Sequence, residues 1–288
     1  MSLRELLRVP ADGTLDLATI DPRATPGLPG KAGKAGKGKA AKRWAVERLA
    51  EIGTDLAAHQ ERLYAGAKVG ASTRRVLLVL QAMDCGGKDG TTRKVAGTMN
   101  PQGLHIVSFG PPTDEERRHD FLWRIRRALP EAGYLGVFNR SHYEDVLVVR
   151  VHELVPEAVW AARYEQINRF ERELADSGTT IVKVMLHISR DEQSERLLQR
   201  LSDPTKHWKY NPGDIDERAY WPAYQAAYTD ALTKCDADHA PWYLVPADRK
   251  WYRDWAVATL LQETLIDLDL RYPPTDFDVE TEKRRLTG

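Results

Sequence analysis

LLVLQAMDCGGKDGTT, residues 77–92, reads as a buried strand that runs into a phosphate loop. The apolar run 74–82 (RRVLLVLQA) supplies the strand, and 87–99 (GKDGTTRKVAGTM) supplies the helix after it. Gly86 and Gly87 let the backbone turn tightly and aim N–H groups inward. The positive end of the helix points at the same spot. Lys88 can reach a transferred phosphoryl group as a point charge. Strand, glycine loop, lysine and helix in this order are the context a phosphate site needs.

Two departures from GxxxxGK[ST] stand out. Ala82 occupies the place of the first glycine, and Asp89 replaces the hydroxyl residue that helps hold magnesium. Thr91 or Thr92 could supply a hydroxyl, at an unusual offset. Asp84 is the stronger substitute. A carboxylate inside an anion cradle is unfavourable unless a cation or proton balances it. Asp84 is therefore expected to organise magnesium and to orient the attacking phosphate; a turn-forming aspartate is the alternative. Gly86, Gly87, Asp89, Gly90 and Thr91 are expected around the bound phosphates. Cys85 is read as a small filler.

Outward from this loop, 104–109, 134–139, 179–188 and 242–247 read as further strands, with helical patterns between them. Strands apolar on both faces and joined by helices predict an α/β domain with a central, mostly parallel five-stranded sheet of the P-loop kinase kind. Residues 113–129 are expected to form a helix opened by a Thr113–Glu116 capping box. Residues 44–72 are expected to form a helical brace, 73–270 the phosphotransferase domain, and 271–288 a tail. Prolines and glycines predict weak order over 1–43. The basic run 31–43 (KAGKAGKGKAAKR) is either an arm for a polyanion or a solvated linker.

Lys plus Arg and Asp plus Glu are equal at 42 each, so any basic site must be local. Two cysteines, Cys85 and Cys235, fit a reducing compartment and offer no disulfide framework. No apolar run approaches membrane-spanning length and the start shows no leader pattern, so a cytoplasmic protein is expected.

Residues 137–150 (VFNRSHYEDVLVVR) put polar groups past a strand's carboxyl end, the crevice side of such a sheet. Arg140 is the candidate phosphate clamp. Asn139 stands where a metal-binding aspartate is expected, and Glu144 and Asp145 are candidates for ribose, base or magnesium-bound water. Residues 202–220 (SDPTKHWKYNPGDIDERAY) read as a lid, which with the preceding helix spans about 196–220. Arg196 and Arg200 lie four apart on one helical face, ahead of Lys206, His207 and Lys209. Such a lid closes over a polyanion and excludes water. Arg117 and Arg118 are further candidates near the end of strand two. Local caps and solvated ion pairs are the alternative for each of these charges.

QAMDCGGKDGTT, NPQG, FLWRIRRALP, FNRSHYEDVLVVR, DPTKHWKYNPGD and HAPWYLVPADRKWYR together resemble blocks of the polyphosphate kinase 2 family, from roughly Leu49 to Asp269. The resemblance implies reversible transfer of a terminal phosphoryl group between inorganic polyphosphate and a nucleotide. It implies magnesium as cofactor, with manganese able to substitute, and a thymidylate-kinase-like fold with a lid. It carries the loop carboxylate and lysine onto Asp84 and Lys88, the second-motif arginine onto Arg140, and the lid cations onto Arg196, Arg200, Lys206 and Lys209. The FNRSHYED form, with Asn139, is similar to the branch that phosphorylates AMP as well as ADP, with Glu144 near the nucleotide. AMP, ADP, ATP and guanine nucleotides are the implied partners, and a homodimer or homotetramer the implied assembly. The rivals are an ATP-dependent nucleoside monophosphate kinase and a non-enzymatic nucleotide or polyanion binder. A nucleic-acid binder, suggested only by residues 31–43, has no matching motif.

Overall fold

Val76–Leu80 are almost wholly excluded from solvent, as expected of a central strand covered by helices on both faces. The computed structural model describes residues 1–10, 13–29 and 38–287. In chain order the elements that position the site are α1 (Leu3–Leu7), α2 (Lys39–Lys68), β1 (Arg75–Ala82), α3 (Lys88–Val95), β2 (Leu104–Ser108), β3 (Leu135–Asn139), α4 (Glu157–Asp176), β4 (Thr179–His187), α5 (Arg190–Ser202), α6 (Gly213–Glu217), α7 (Trp221–Lys234), β5 (Trp242–Pro246) and α8 (Lys250–Asp267). The sheet order is β2-β3-β1-β4-β5, and every pair is parallel. Register aligns Leu80 with Asn139 and Ala82 with Leu186, so the loops after β1, β3 and β4 leave from one edge. That edge, beside β1 where the order reverses, is where such sheets bind ligands.

Two expectations give way. Among the described residues, the segment before α2 is packed onto the domain. Leu3, Leu7, Val9, Leu15 and Leu17 are buried, Val9 N–H donates to Trp242 O, and Arg8 bridges Tyr243 in antiparallel fashion. The extension thus covers the outer edge of β5, which would otherwise expose unpaired backbone. The helical brace opens at Lys39, ahead of Trp44, and packs along α8. Residues 31–37 of the basic run lie outside the described residues.

The second difference is at 113–129. The capping box forms, with Thr113 N–H on Glu116 Oε2 (2.7 Å) and Glu116 N–H on Thr113 Oγ1 (3.2 Å). It opens only a 3-10 turn, Glu116–Arg118, and a separate short helix follows at Trp123–Arg127. Between them the Asp120 carboxylate accepts from Leu122 N–H (3.0 Å). A side chain that claims a backbone donor in this way competes with helix propagation.

Candidate active site

The loop after β1 is shaped by close approach. A Cβ on Gly86 would lie 2.3 Å from Ala82 Cβ. The missing opening glycine is therefore compensated: the methyl of Ala82 fills the space that Gly86 leaves. Gly87 has φ +103°, and a Cβ there would lie 1.7 Å from Arg253 Nη1. Cys85 and Arg140 each hold φ 63°, sparsely populated backbone on the two loops that face each other.

Two buried arginines support the loop from beneath. Arg196, on α5, has all five N–H groups engaged: Glu192 Oε1 (2.8 Å), Cys85 O (2.8 Å), Gly86 O (3.1 Å), Ala247 O (2.6 Å) and Asp248 O (3.2 Å). Arg253, on α8, donates twice to Asp254 Oδ1 (2.8 and 2.6 Å) and lies against Gly87 and Gly90. Sequence reading missed Arg253. Its signal is an Arg–Asp pair inside a stretch of α8 that is otherwise apolar and buried.

Above the loop lies a cavity of about 830 Å³. Lys88, Arg93, Arg140, Arg200, Lys206, Lys209 and Lys250 line it, against the carboxylates Asp84, Asp89 and Asp214. Arg93 and Lys250 were not expected from sequence. A neutral chain thus concentrates positive charge at one place, as an anion site requires. A second cavity of about 340 Å³ adjoins it, walled by Leu147, Val148, Trp221, Tyr224 and Tyr228. Asp84, Arg140, Asn211 and Asp214 line both.

Lys88 Nζ donates to Ala82 O (3.0 Å). Burial pushes its ammonium below the ordinary lysine range; Arg140 adds to this, and Asp84, Glu144 and Asp89 oppose it. Arg140 donates to Asp84 Oδ1 (3.0 Å) and lies 3.9 Å from Glu144. Asp89 accepts from Asn139 Nδ2 (2.7 Å) and Lys209 Nζ (3.5 Å). Burial works against its ionisation, but the Asn139 amide and Lys209 outweigh this and hold it below the usual carboxylate range. Arg200 donates to Lys209 O (2.8 Å) and Asp214 Oδ2 (3.2 Å), and Lys206 pairs with Asp203 (2.7 Å). The segment between Arg140 and Glu144 is anchored from below. His142 and Tyr143 contact Glu171, which pairs with the fully buried Lys183 at 2.5 Å.

The expected residues Asp84, Gly86, Gly87, Lys88, Asp89, Gly90, Asn139, Arg140, Arg196, Arg200, Lys206 and Lys209 all meet at the larger cavity, and Glu144 lines the smaller. Four others line neither. The Thr91 hydroxyl is buried and donates to Asp254 Oδ1 (3.2 Å). Arg117 pairs with Asp114 on an exposed turn, where Arg118 is exposed too. Asp145 turns toward Arg163 (3.1 Å). Arg196 is at the cavity, but its guanidinium is spent on the loop's carbonyls and not free for a polyanion, contrary to the lid role expected of it.

Burial raises Asp145 to about 6, with Arg163 and Arg124 opposing. A raised carboxyl contributes stability that is present below its unfolded pKa and lost as pH rises through its folded pKa. Asp145→Asn removes that dependence. Its stability relative to the parent should therefore rise between pH 4 and 7, by on the order of 2–3 kcal/mol. Paired melts across that range test this; a difference flat in pH would refute it.

Asp84 is suited to a divalent ion. Magnesium typically takes one or two protein carboxylates and completes its shell with water and substrate phosphates. Asp84 faces both cavities, and Asp89 lines the larger one. Among the described residues no cluster of three or more His, Cys, Asp or Glu could hold an ion by itself.

Comparison with known proteins gives consistent relatives. A family model described as polyphosphate kinase 2 matches residues 39–271. An AMP/ADP-polyphosphate phosphotransferase of Meiothermus ruber is 48% identical over 266 residues, 92% of this chain and 94% of that one. An ADP-polyphosphate phosphotransferase of Rhodopseudomonas palustris is 43% identical over 81% of each chain. The crystal structure of polyphosphate kinase 2 from Arthrobacter aurescens superposes with a TM-score of 0.90 at 48% identity, covering 100% of this chain and 97% of that one. No helix among the described residues is long and apolar enough to cross a membrane.

Proposed function

The chain belongs to the polyphosphate kinase 2 family, and from that premise we propose that it transfers the terminal phosphoryl group of inorganic polyphosphate to AMP and ADP, reversibly and with magnesium. The observation that carries this is the pair of unlike cavities meeting at Asp84 and Arg140. The larger, cationic one suits a phosphate chain, and the smaller, aromatic-walled one suits a nucleoside. The acceptor phosphate then faces the donor end where the two join.

In the forward direction a nucleotide phosphate oxygen forms a bond to the terminal phosphorus. The bridging anhydride oxygen leaves with the electron pair and remains on the shortened chain. The attacking oxygen is already anionic, so little general-base help is needed and positioning dominates. Lys88, at the first turn of α3, meets the charge that spreads over the equatorial oxygens. Arg140 neutralises the acceptor phosphate beside it. Arg200, Lys206 and Lys209 screen two polyanions from each other, and lid closure keeps water out. Asp84, with Asp89 near, would hold the magnesium ion, which supplies charge neutralisation between the phosphates. Asn139, bonded to Asp89, is the feature that supports AMP as well as ADP as acceptor, and the Meiothermus ruber relative carries both nucleotides in its name.

The test is a donor and acceptor panel: purified protein, magnesium and long-chain polyphosphate with AMP, ADP, GMP and GDP in turn, with ATP as competing donor. We expect ADP and then ATP to form from AMP and polyphosphate. Phosphorylation of AMP from ATP alone would overturn the reading.

A further inference from the structure

We infer that Glu217 reads the exocyclic amino group of the adenine base, as a carboxylate acceptor held in place by His152 and Tyr224; this rests on the nucleotide occupying the smaller cavity. That cavity carries both signs of charge. Arg140 is shared with the cationic cavity and suits phosphate. Glu217, His152, Trp221 and Tyr224 line the smaller cavity and not the larger. A phosphate there would face an anion. A neutral base that presents an N–H donor would face an acceptor, with ring surface on either side.

Glu217 is built for this task. Tyr224 Oη donates to its Oε2 (2.9 Å), and His152 Nε2 lies 3.0 Å from each of its two oxygens. His152 is itself tilted against the Tyr220 ring (4.8 Å between centroids). A carboxylate offers about four lone-pair directions, so capacity remains after both contacts. The side chain is 33% exposed, which leaves it open to the cavity. The three residues come from three parts of the chain. Glu217 ends α6 on the lid, His152 closes the turn Val148–Val151, and Tyr224 belongs to α7. A base bound at Glu217 would therefore tie the lid to the cavity wall. Glu144, the other glutamate in the cavity, faces Arg140 and belongs with the phosphate side.

The test is a cycle between protein and ligand. AMP and purine riboside 5′-monophosphate, which lacks the amino group, are compared as acceptors in the parent and in Glu217→Gln. The parent should favour AMP by roughly tenfold or more in kcat/KM, the scale of a hydrogen bond to a charged group. Glu217→Gln should bring the two acceptors near parity, mainly by weakening AMP, with the KM for polyphosphate unmoved. Tyr224→Phe, which frees the carboxylate from one of its anchors, should narrow the preference partway. A preference that survives Glu217→Gln undiminished would overturn the inference, as would an equal loss on both acceptors, which marks a role in lid structure only.

Val148→Trp separates this from failure of the underlying reading. It fills the cavity wall and should raise the KM for AMP tenfold or more, with polyphosphate unaffected. If AMP is also unaffected, the nucleotide is not in this cavity, and both the placement and the inference fall. If Val148→Trp blocks AMP while Glu217→Gln leaves the preference intact, only the inference falls. Melting temperatures of each variant identify loss of fold.

Discussion

Replacing Lys88 with alanine should lower turnover with polyphosphate and AMP by about 10²–10³-fold, the scale for removing a group aimed at charge that develops in the transition state. KM for either substrate should move by much less. The reason is position. Lys88 is the first residue of α3, and its ammonium hydrogen-bonds the end of β1 through Ala82 O. It is therefore held over the loop's anion cradle before substrate arrives. Ground-state phosphate binding draws on many cations, among them Arg93, Arg200, Lys206, Lys209 and Lys250. Losing one of them removes only a fraction of that affinity. The migrating phosphoryl group spreads charge at one point, and there a single misplaced cation is felt in full. Lys88→Arg should not rescue, because a broad planar fork does not reproduce a point charge in a cradle packed this closely. Initial rates over a grid of both substrates, with melting temperatures as control, decide it. Turnover within threefold of the parent would remove Lys88 from the chemistry.

The reach of the sequence is clearest at this loop. An apolar run, two glycines and a lysine are local signals, and each has a local cause. Strands β1, β3, β4 and β5 were legible for the same reason, since burial on both faces leaves unbroken apolar runs, while the edge strand β2 is apolar in sequence but half-exposed. Other features depend on contacts that no local pattern carries. Leu3 and Leu7 sit in a five-residue helix, and their burial comes from packing against β5 and α8. Asp120 looks like an ordinary polar position in a helical pattern, yet its carboxylate takes the Leu122 N–H in the break between the 3-10 turn and the short helix. Thr91 has a hydroxyl near the lysine, but one turn along α3 it faces Asp254 and not the cavity. Asp145 follows Glu144 directly, and the 3-10 turn His142–Asp145 turns the two carboxylates to different partners, Arg163 and Arg140.

Arg196 and Arg200 make the sharpest contrast, and the second large effect follows from it. Their spacing of four puts both on the cavity side of α5, as the pattern implies. Only the fold reveals that four carbonyls, of Cys85, Gly86, Ala247 and Asp248, converge on Arg196. Arg196→Met would leave those buried carbonyls short of donors and Glu192 without its partner. Breaking one side of a buried ionic network of this kind costs about 3–5 kcal/mol. The loop that presents its N–H groups to phosphate should slacken with it, so turnover should fall by tenfold or more even where the protein stays folded. Arg196→Lys keeps the charge but offers three donors from one point in place of a five-donor fork, and should recover only part of either loss. Arg200→Met is the counterpart. Among the described residues Arg200 bonds Lys209 O and Asp214, and it is open to the cavity, so its loss should raise the KM for polyphosphate and barely move the melting temperature. If Arg196 instead behaves as Arg200 is expected to, with affinity for polyphosphate lost and stability kept, then its guanidinium leaves the loop for the substrate during the cycle, and the clamp described above is a resting contact.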